Sequence, residues 1–402
     1  MKILHIGDTH LGFRQYRSET RYEDFFDALE ESIQYAKTNN VDAIIQTGDL
    51  FDSSDPSIET LNRCLSILSQ LDGIPFYAIV GNHERKRNTQ WIEIIDRLSG
   101  VHHLSRDPTT ISGRDGVEVD LYGIDAVRKP QWNATDFELQ ASEEDNSNPR
   151  ILCMHELCSP PIQSNPDSTS NHMETYDMYE IVDRCKLSVD VIALGDYHYP
   201  ASEELTSGEV VYYAGATERT KRNQSRTTIV ELEFDQQGLQ NKQVIDITTS
   251  RPFVEVNITL EKGMTQNDIR TQISEYDFKQ VGSKNSIAVV TLEGEDIGIP
   301  TTKIKKMVFN DGAEVVKIVD NRSSSVNIEE ISSLEKNQSY TEQIDELVME
   351  KDFSEETFQI DEIVRGTEIK DSNVRDEVHK LLTENNTETD EIETKNAKLG
   401  DL

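Results

Sequence analysis

Metal-binding side chains follow five short apolar runs of this sequence, each at the point where the run ends. The runs are rich in Ile and Val and are bounded by Gly or Met, which predicts buried strands that stop where a loop begins. In open α/β sheets, ligands gather at the carboxyl ends of the strands. We therefore expect the side chains at these five ends to converge on one site whose nitrogen and oxygen ligands suffice for two metal ions. They are Asp8 and His10 after residues 3–6, Asp49 after 43–45, Asn82 and His83 after 76–80, His155 after 151–154, and Asp196 and His198 after 189–194.

Each of these motifs has an ordinary structural explanation when it is taken alone. The Gly-Asn-His-Glu tetrapeptide at 81–84 could be a turn with Asn in a left-handed conformation. The Asp-x-His motif at 8–10 could be a capping Asp beside a surface His. Together, and in this order, the motifs are hard to explain by packing, because packing alone does not require polar groups at the end of every strand.

The chemistry predicted from this set is phosphodiester hydrolysis. Two divalent ions about 3.5–4 Å apart can hold both the attacking and the leaving oxygen, and they lower the pKa of a bound water toward neutrality. Asp49 is the natural bridging carboxylate.

The motifs resemble those of the calcineurin-like metallophosphoesterases. That family's signature runs Asp-x-His, Gly-Asp-x-x-Asp, Gly-Asn-His-Asp/Glu, a lone His and then Gly-His-x-His. Within the family, the chain is similar to the nuclease subunits of archaeal DNA double-strand-break repair complexes. The similar segments are residues 2–12, 48–52, 213–219 and 250–255, and the resemblance extends over roughly the first 320 residues.

The resemblance implies two Mn²⁺ ions per subunit, with Mg²⁺ as a possible substitute. It also implies that His83 is catalytic and does not bind metal, orienting the phosphate or protonating the leaving 3′ oxygen, since the pKa of histidine lies near working pH. Glu84 is then a supporting residue outside the metal ligands; the alternative for His83 is a similar supporting role. The ligands implied for the first ion are Asp8, His10, Asp49 and His198, and those for the second are Asp49, Asn82, His155 and Asp196.

Two positions depart from the family pattern. Asp196 stands where the family has the first His of Gly-His-x-His. A carboxylate can bind Mn²⁺ or Mg²⁺ through oxygen and makes the site more negative, so the second ion depends on this replacement. Asp52 stands where some archaeal relatives have His, and the phosphate-positioning role of that His is not transferred to it.

The predicted fold is α/β: a two-sheet β-sandwich core flanked by helices, followed by a small α/β capping domain and a helical acidic tail. Residues 1–250 would form the nuclease domain, 251–320 the capping domain and 321–402 an acidic linker with helices. The capping domain shows a strand, helix, strand, helix, strand pattern, and by resemblance it holds DNA over the metals. Two amphipathic stretches, 340–351 and 374–382, would by resemblance bind a coiled-coil ABC-type ATPase; a disordered acidic tail is the alternative.

Two helices carry apolar stripes of different width. Phe25, Leu29, Ile33 and Ala36 form one stripe. The helix at 58–71 has a face broader than one contact surface requires. By resemblance this helix and the next, at 91–98, form a homodimer interface, whereas burial of the helix in the core would also explain the pattern.

The composition is strongly acidic, with a formal net charge of −35. An acidic surface over the whole protein is typical of a halophilic proteome, because acidic residues keep proteins soluble when charge repulsion is screened. At such salt, counterion release contributes little to DNA binding. The alternative is that DNA is not the substrate.

The other residues of interest predict no second site. His5 lies inside the first strand, where a hydrogen-bonded core histidine is expected. The four cysteines form no Cys-x-x-Cys pair and are expected to be buried free thiols in a reducing compartment. No apolar run approaches the ~20 residues of a membrane span, so we expect a cytoplasmic protein without a membrane anchor.

The sequence thus predicts a Mn²⁺-dependent DNA nuclease, with double-strand exonuclease and single-strand endonuclease activity. It would process DNA ends in double-strand-break repair together with the ABC-type ATPase. Two alternatives remain: a DNA-end-binding scaffold for the ATPase with weak nuclease activity, and a phosphodiesterase of the same fold with a small substrate.

Overall fold

Two six-stranded sheets lie face to face at the centre of the structure. The computed structural model describes residues 1–86, 90–141, 147–162, 175–278 and 284–322. The first sheet has the strand order β14-β13-β1-β2-β3-β4, and the second has the order β11-β12-β10-β7-β6-β5. The strands of the first sheet are β1 (Lys2–Ile6), β2 (Ala43–Thr47), β3 (Phe76–Ile79), β4 (Val101–His103), β13 (Thr228–Asp235) and β14 (Gly238–Asp246). Those of the second are β5 (Thr109–Ser112), β6 (Glu118–Ile124), β7 (Arg150–His155), β10 (Val191–Gly195), β11 (Ala201–Glu204) and β12 (Val210–Tyr213).

Apolar side chains fill both faces of the first sheet. Ile3 and Ile45 belong to the core between the two sheets. Leu4 and Ile44, their neighbours in sequence, belong to a second core under the helices α1 (Glu19–Thr38), α2 (Ile58–Leu68) and α3 (Trp91–Ser99). The near-continuous apolar runs therefore reflect strands buried on both sides, as expected for parallel strands covered by helices.

The second sheet is covered on its outer face by α4 (Met178–Cys185), which packs on Leu152 and Ile192. A two-stranded ladder pairs β8 (Cys158–Ser159) with β9 (Tyr176–Asp177) nearby. The predicted two-sheet core flanked by helices is thus confirmed. The α1 stripe is also confirmed, since Phe25, Leu29 and Ile33 are fully buried.

Parallel pairing brings the predicted strand ends to one edge of each sheet. Strands β1, β2 and β3 are parallel neighbours, and so are β7 and β10. The two edges meet: a Cβ built on Gly195, at the end of β10, would lie 2.3 Å from the carbonyl oxygen of Thr47, at the end of β2. The ends of strands from both sheets therefore lie at one place.

A third sheet with its own core follows residue 250. Its three parallel strands alternate with two helices, which confirms the predicted order of elements. Residues Met1–Ser324 nevertheless cluster as one compact unit, so the division into nuclease and capping domains stays a prediction. The elements are β15 (Phe253–Leu260), α5 (Gln266–Ile273), β16 (Ile287–Gly294), α6 (Thr301–Asn310) and β17 (Val315–Asp320).

Several smaller predictions can be compared with the structure. His5 is buried and its two ring nitrogens contact the hydroxyls of Tyr212 and Thr47, at 3.0 and 2.8 Å, which confirms the core histidine. All four cysteines are buried free thiols, as expected. No helix in the described ranges is long and apolar enough to cross a membrane. The two tail helices and most of the loop at 159–175 lie outside the described residues.

Candidate metal centre

The side chains at the five strand ends lie around one point. Within each of three groups, the potential ligand atoms are no more than 4.8 Å from one another. Asp8, His10 and Asp49 each occur in two of these groups, so the groups overlap. The groups are Asp8 with His10 and His198, His10 with Asp49 and His83, and Asp8 with Asp49 and His155.

The backbone at this point adopts conformations that side chains other than Gly rarely take. His10 has a φ of 45°, Asp49 of 53° and Asp196 of 79°, all in the left-handed region. Such conformations persist only where the surroundings enforce them, and they concentrate at functional sites. Here these three residues turn the backbone sharply where a strand ends.

Glycines under the site leave space that the ligands fill. A Cβ on Gly81 would lie 2.1 Å from Asp49 Oδ1, and a Cβ on Gly48 would lie 2.6 Å from His155 Nδ1. A Cβ on Gly195 would be equally close to His155 Nδ1, at 2.6 Å. The glycines of the motifs are therefore required because backbone and ligand approach closely.

Hydrogen bonds fix the protonated nitrogen of His155. Its Nδ1 lies 2.6 Å from the carbonyl oxygen of Thr47, which can only accept, so Nδ1 carries the proton. In the neutral ring, the lone pair is then on Nε2, which lies 3.3 Å from Asp49 Oδ2 and 3.9 Å from Asp196 Oδ1. A lone pair directed at carboxylates calls for a cation between them.

The imidazole rings of His198 and His10 also approach each other, with their Nε2 atoms 3.1 Å apart. His198 Nδ1 lies 2.8 Å from the hydroxyl of Thr220. In the neutral tautomer that leaves Nε2 free for a metal ion, Nδ1–H donates to this hydroxyl. His10 Nδ1 lies 3.2 Å from Asp52 Oδ1, an ion-pair distance. His10 Nδ1 makes no hydrogen bond of good geometry. In neutral rings protonated on Nδ1, the two Nε2 atoms, which lie 3.1 Å apart, would both present lone pairs to a metal ion. Two imidazole ligands placed cis on one ion, with bonds of about 2.1 Å, would be about 3 Å apart.

The residues present therefore fit divalent metal ions. Within the described residues, Asp8 Oδ2 and His155 Nε2 are fully buried and have no hydrogen-bond partner. Buried polar atoms are almost always paired, so such atoms indicate a bound ion. The mixture of imidazole and carboxylate ligands suits Mn²⁺, Fe²⁺ and Zn²⁺ better than Ca²⁺.

Electrostatics favour the metal-binding form at Asp49 and His198 but not throughout the cluster. Burial raises the pKa of Asp8 and Asp196. Burial alone would lower the pKa values of His10 and His155, but neighbouring carboxylates outweigh it and raise them. Burial alone would raise the pKa of Asp49, but the His155 ring and other neighbours outweigh it and lower this pKa. Burial and the nearby His10 lower the pKa of His198 to about 3, which keeps that imidazole neutral. Neutral imidazole and ionised carboxylate are the forms that bind metal.

Asn82 and Asp196 lie together at the side of the cluster. The Asn82 side-chain amide donates to Asp196 Oδ1 at 3.1 Å, and the Asp196 backbone N–H donates to Asp8 Oδ1 at 2.9 Å. Both residues are thus close to the His155 ring, where the second ion is predicted. Their assignment as metal ligands stays a prediction.

Glu84 connects two of the loops that carry ligands. Its carboxylate accepts from the backbone N–H groups of Phe51, at 3.0 Å, and Gly81, at 3.1 Å. Burial and the nearby Asp49 raise the pKa of Glu84 to about 7. The assignment of Glu84 as a supporting residue stays a prediction.

His83 lies beside the cluster at the surface, with 48% of its side chain exposed. Its Nδ1 lies 3.0 Å from the carbonyl oxygen of Asp52 and its backbone N–H donates to Asp49 Oδ1. The exposed ring presents Nε2 as the atom available to a substrate. Its potential ligand atom also lies within 4.8 Å of those of His10 and Asp49, so its predicted exclusion from the metal ligands stays a prediction.

Comparisons with known proteins agree with this geometry. A family model described as calcineurin-like phosphoesterase matches residues 1–200. The DNA double-strand break repair protein Mre11 of Haloferax volcanii is 30% identical over 328 residues, which are 80% of this chain and 68% of that protein. The chain belongs to the Mre11 family of calcineurin-like phosphoesterases. The predicted resemblance is thereby confirmed.

Other relatives of this Mre11 family member are longer. The Mre11 protein of Methanosarcina acetivorans is 32% identical over 344 residues, which are 83% of this chain but only 52% of that protein. The chain therefore spans about half the length of that relative. Among solved structures, a dimetal phosphatase from Danio rerio is 12% identical, with a TM-score of 0.40 over 62% of this chain and 99% of that chain.

Three residues of the site were not identified from the sequence. Gln46 holds the loop before Asp49, since its side chain bonds both the N–H and the carbonyl of Gly48, at 3.0 and 2.6 Å. Asp52 was recognised as part of a motif, but not as the carboxylate beside His10. Thr220 lies outside every motif, and nothing in the sequence connects it with His198.

Proposed function

We propose that this Mre11 family member is a metal-dependent DNA nuclease that uses two Mn²⁺ ions to process DNA ends in double-strand-break repair. The observation that supports this most strongly is the set of three histidines whose Nε2 atoms face carboxylates or one another. The Mre11 name of the similar proteins, which are described as DNA double-strand break repair proteins, supports DNA as the substrate.

The ions, when bound, would activate a water and hold the phosphate oxygens of the scissile bond. Asp8, His10, Asp49 and His198 would hold the first, and Asp49, Asn82, His155 and Asp196 the second. Asp49 is suited to bridge both sets because its Oδ2 lies 3.9 Å from His10 Nε2 and 3.3 Å from His155 Nε2.

His83 is the proposed general acid. Because its Nδ1 is held by the Asp52 carbonyl, its Nε2 is the position at which a proton can be delivered to the leaving 3′ oxygen. Its exposure allows a DNA strand to approach it. The same geometry suits orientation of the phosphate by a hydrogen bond from Nε2.

The proposal includes assembly with partners. The two stretches at 340–351 and 374–382 would bind a coiled-coil ABC-type ATPase. A protein truncated after Asn337 should keep the nuclease fold and lose the ATPase in a pull-down. The homodimer would form through α2 and α3, whose outer faces leave Ile58 and Ile94 exposed. The halophilic composition requires assays in high KCl.

The test is cleavage of labelled duplex and single-stranded DNA in high KCl with Mn²⁺, with and without the ATPase. We expect His83→Gln to reduce cleavage by at least about 100-fold, in the range for a general acid, while Mn²⁺ binding by calorimetry is unchanged. His102→Gln is the matched control, since His102 is 51% exposed and lies on β4 away from the site.

The outcomes separate the proposal from its alternatives. Loss of Mn²⁺ binding in His83→Gln would make His83 a ligand and contradict its assignment as the acid. DNA-end binding without Mn²⁺-dependent cleavage by the wild type would favour the scaffold function. Cleavage of small phosphodiesters but not of DNA would favour the small-substrate enzyme.

A further inference from the structure

A continuous series of buried and partly buried polar contacts joins the third sheet to His198, one of the predicted metal ligands. Arg251, just before β15, binds Asp24 on α1 with two hydrogen bonds of 2.9 and 3.1 Å. Asp24 also accepts from Arg21, at 2.7 Å. The Arg251 guanidinium donates to the carbonyl oxygen of Asn285, just before β16, at 2.7 Å. The bases of two strands of the third sheet are thus attached to α1 through one carboxylate.

The series continues from α1 to the metal centre. Arg21 Nε donates to Gln15 Oε1 at 3.0 Å, and Gln15 Nε2 donates to the carbonyl oxygen of Thr220 at 2.7 Å. The Thr220 hydroxyl then contacts His198 Nδ1 at 2.8 Å. We call Arg251, Asp24, Arg21, Gln15 and Thr220 the polar path.

Burying the charged groups of the polar path costs free energy unless each group has a partner. Arg21 and Asp24 are completely buried, and Arg251 is only 7% exposed. Removing one partner of such a group leaves a buried charge unpaired, so its members are held to one arrangement. A displacement of the third sheet would have to break the Arg251 contacts or carry α1 and the Gln15 loop with it.

The last contact acts on metal binding through the tautomer of His198. The Thr220 hydroxyl lies 2.8 Å from Nδ1, and His198 Nε2 lies 3.1 Å from His10 Nε2. Only the tautomer in which Nδ1–H donates to Thr220 leaves the Nε2 lone pair for a metal ion. Hydrogen bonds of this kind orient a ligand imidazole and raise its basicity. A shift of Thr220 would free the ring to rotate or to change its protonated nitrogen.

We propose that Thr220 and Gln15 are positioning residues for His198, and that the polar path makes the affinity of the first ion depend on how the third sheet is seated on α1. This rests on the proposed metal site.

The first experiment tests the end of the path with three variants of full-length protein. Thr220→Val removes the hydroxyl at constant volume, and Thr220→Ser keeps it. Thr110→Val is the control, because Thr110 also makes a hydrogen bond to a side chain, 2.7 Å to Asp120, but lies on β5. We expect Thr220→Val alone to lower Mn²⁺ affinity about 10- to 100-fold by calorimetry. In metal-free protein, ¹⁵N NMR should show His198 protonated on Nδ1 in the wild type and as mixed tautomers in Thr220→Val.

The second experiment tests the end of the polar path that lies at the third sheet. Lys284 binds Asp24 at 3.0 Å and Asp27 at 2.7 Å and is 18% exposed, so Lys284→Met is less prone to misfold than a change at Arg251. We expect Lys284→Met to lower Mn²⁺ affinity about two- to thirty-fold, and to have little further effect in the Thr220→Val background. Lys37→Met is the control, because Lys37 lies on α1, the helix that also carries Asp24 and Asp27, and forms an ion pair with Asp72 remote from the metal centre.

The results distinguish failure of this inference from failure of the proposed function. A wild type that binds no Mn²⁺ would overturn the metal site itself. A wild type that binds Mn²⁺, with unchanged affinity in Thr220→Val or in Lys284→Met, would overturn the polar path. Additive losses in the double variant would likewise contradict it, since residues acting through one path are not independent.

Discussion

Asp196 is the predicted ligand at which this chain departs from its family, and its substitution gives the sharpest test of the second ion. Its Oδ1 accepts from Asn82 at 3.1 Å and lies 3.9 Å from His155 Nε2. If the carboxylate binds the ion, Asp196→Ala removes a charged ligand and should abolish the second site. Asp196→His restores the residue that the family has there and should keep two ions and measurable cleavage.

The competing explanation has a smaller expected effect. If Asp196 only orients Asn82 and the His155 ring, its loss should lower metal affinity about 10- to 100-fold, equivalent to about 1.4–2.7 kcal/mol. The backbone adds a separate effect, because at a φ of 79° an Ala is strained by about 1–2 kcal/mol whereas Asn and His tolerate the left-handed region.

The assay is calorimetric Mn²⁺ titration of Asp196→Ala, Asp196→Asn and Asp196→His in high KCl, with unfolding followed in parallel. Asp72→Ala is the control for backbone strain, since Asp72 has a φ of 58° and a side chain 83% exposed. It should lose stability without losing metal. Two Mn²⁺ sites of near-native affinity in Asp196→Ala would refute the assignment of Asp196 as a ligand.

Three further predictions follow from the structure. Gly81→Ala should eliminate Mn²⁺ binding, because the new Cβ would lie 2.1 Å from Asp49 Oδ1. Gly116→Ala is the control: Gly116 has a φ of 76° and open space around it, so this change should only lower stability. Calorimetry measures Mn²⁺ binding and thermal unfolding measures stability in both variants. Asp24→Asn should lower the free energy of unfolding by about 3–5 kcal/mol at neutral pH. Burial alone would raise the pKa of Asp24, but Arg251 and its other cations outweigh it and lower this pKa. The stabilisation is therefore present above the unfolded pKa of about 3.9 and is lost as pH falls through the lower folded value, so urea unfolding should show the variant and wild type converging in acid. Ile94→Glu should dissociate the proposed dimer in light scattering while Val244→Glu, on β14 and equally 37% exposed, should not; a dimer retained in Ile94→Glu would exclude α3 from the interface.

Much of the site could be predicted because its ligands are attached to local sequence signals. Strands buried on both faces appear in the sequence as apolar runs. The glycines that follow them are needed where a Cβ would collide with a ligand side chain, as at Gly48 and Gly81. The residue types of metal ligands are few, so motif and strand end together indicated Asp8, Asp49 and His155 without knowledge of the contacts. The α/β pattern after residue 250 was recognisable for the same reason, since period and length distinguish its strands from its helices.

The tertiary structure decided how those residues are held. Which nitrogen of His155 carries its proton depends on the Thr47 carbonyl, 108 residues away in sequence, and His198 depends in the same way on Thr220. The position of Asp52 beside His10 likewise follows from the turn after β2 and not from its motif. Ligand types are local in sequence because they are properties of single residues. Tautomers, unpaired lone pairs and the path to the third sheet depend on distances between segments, which only the folded chain fixes.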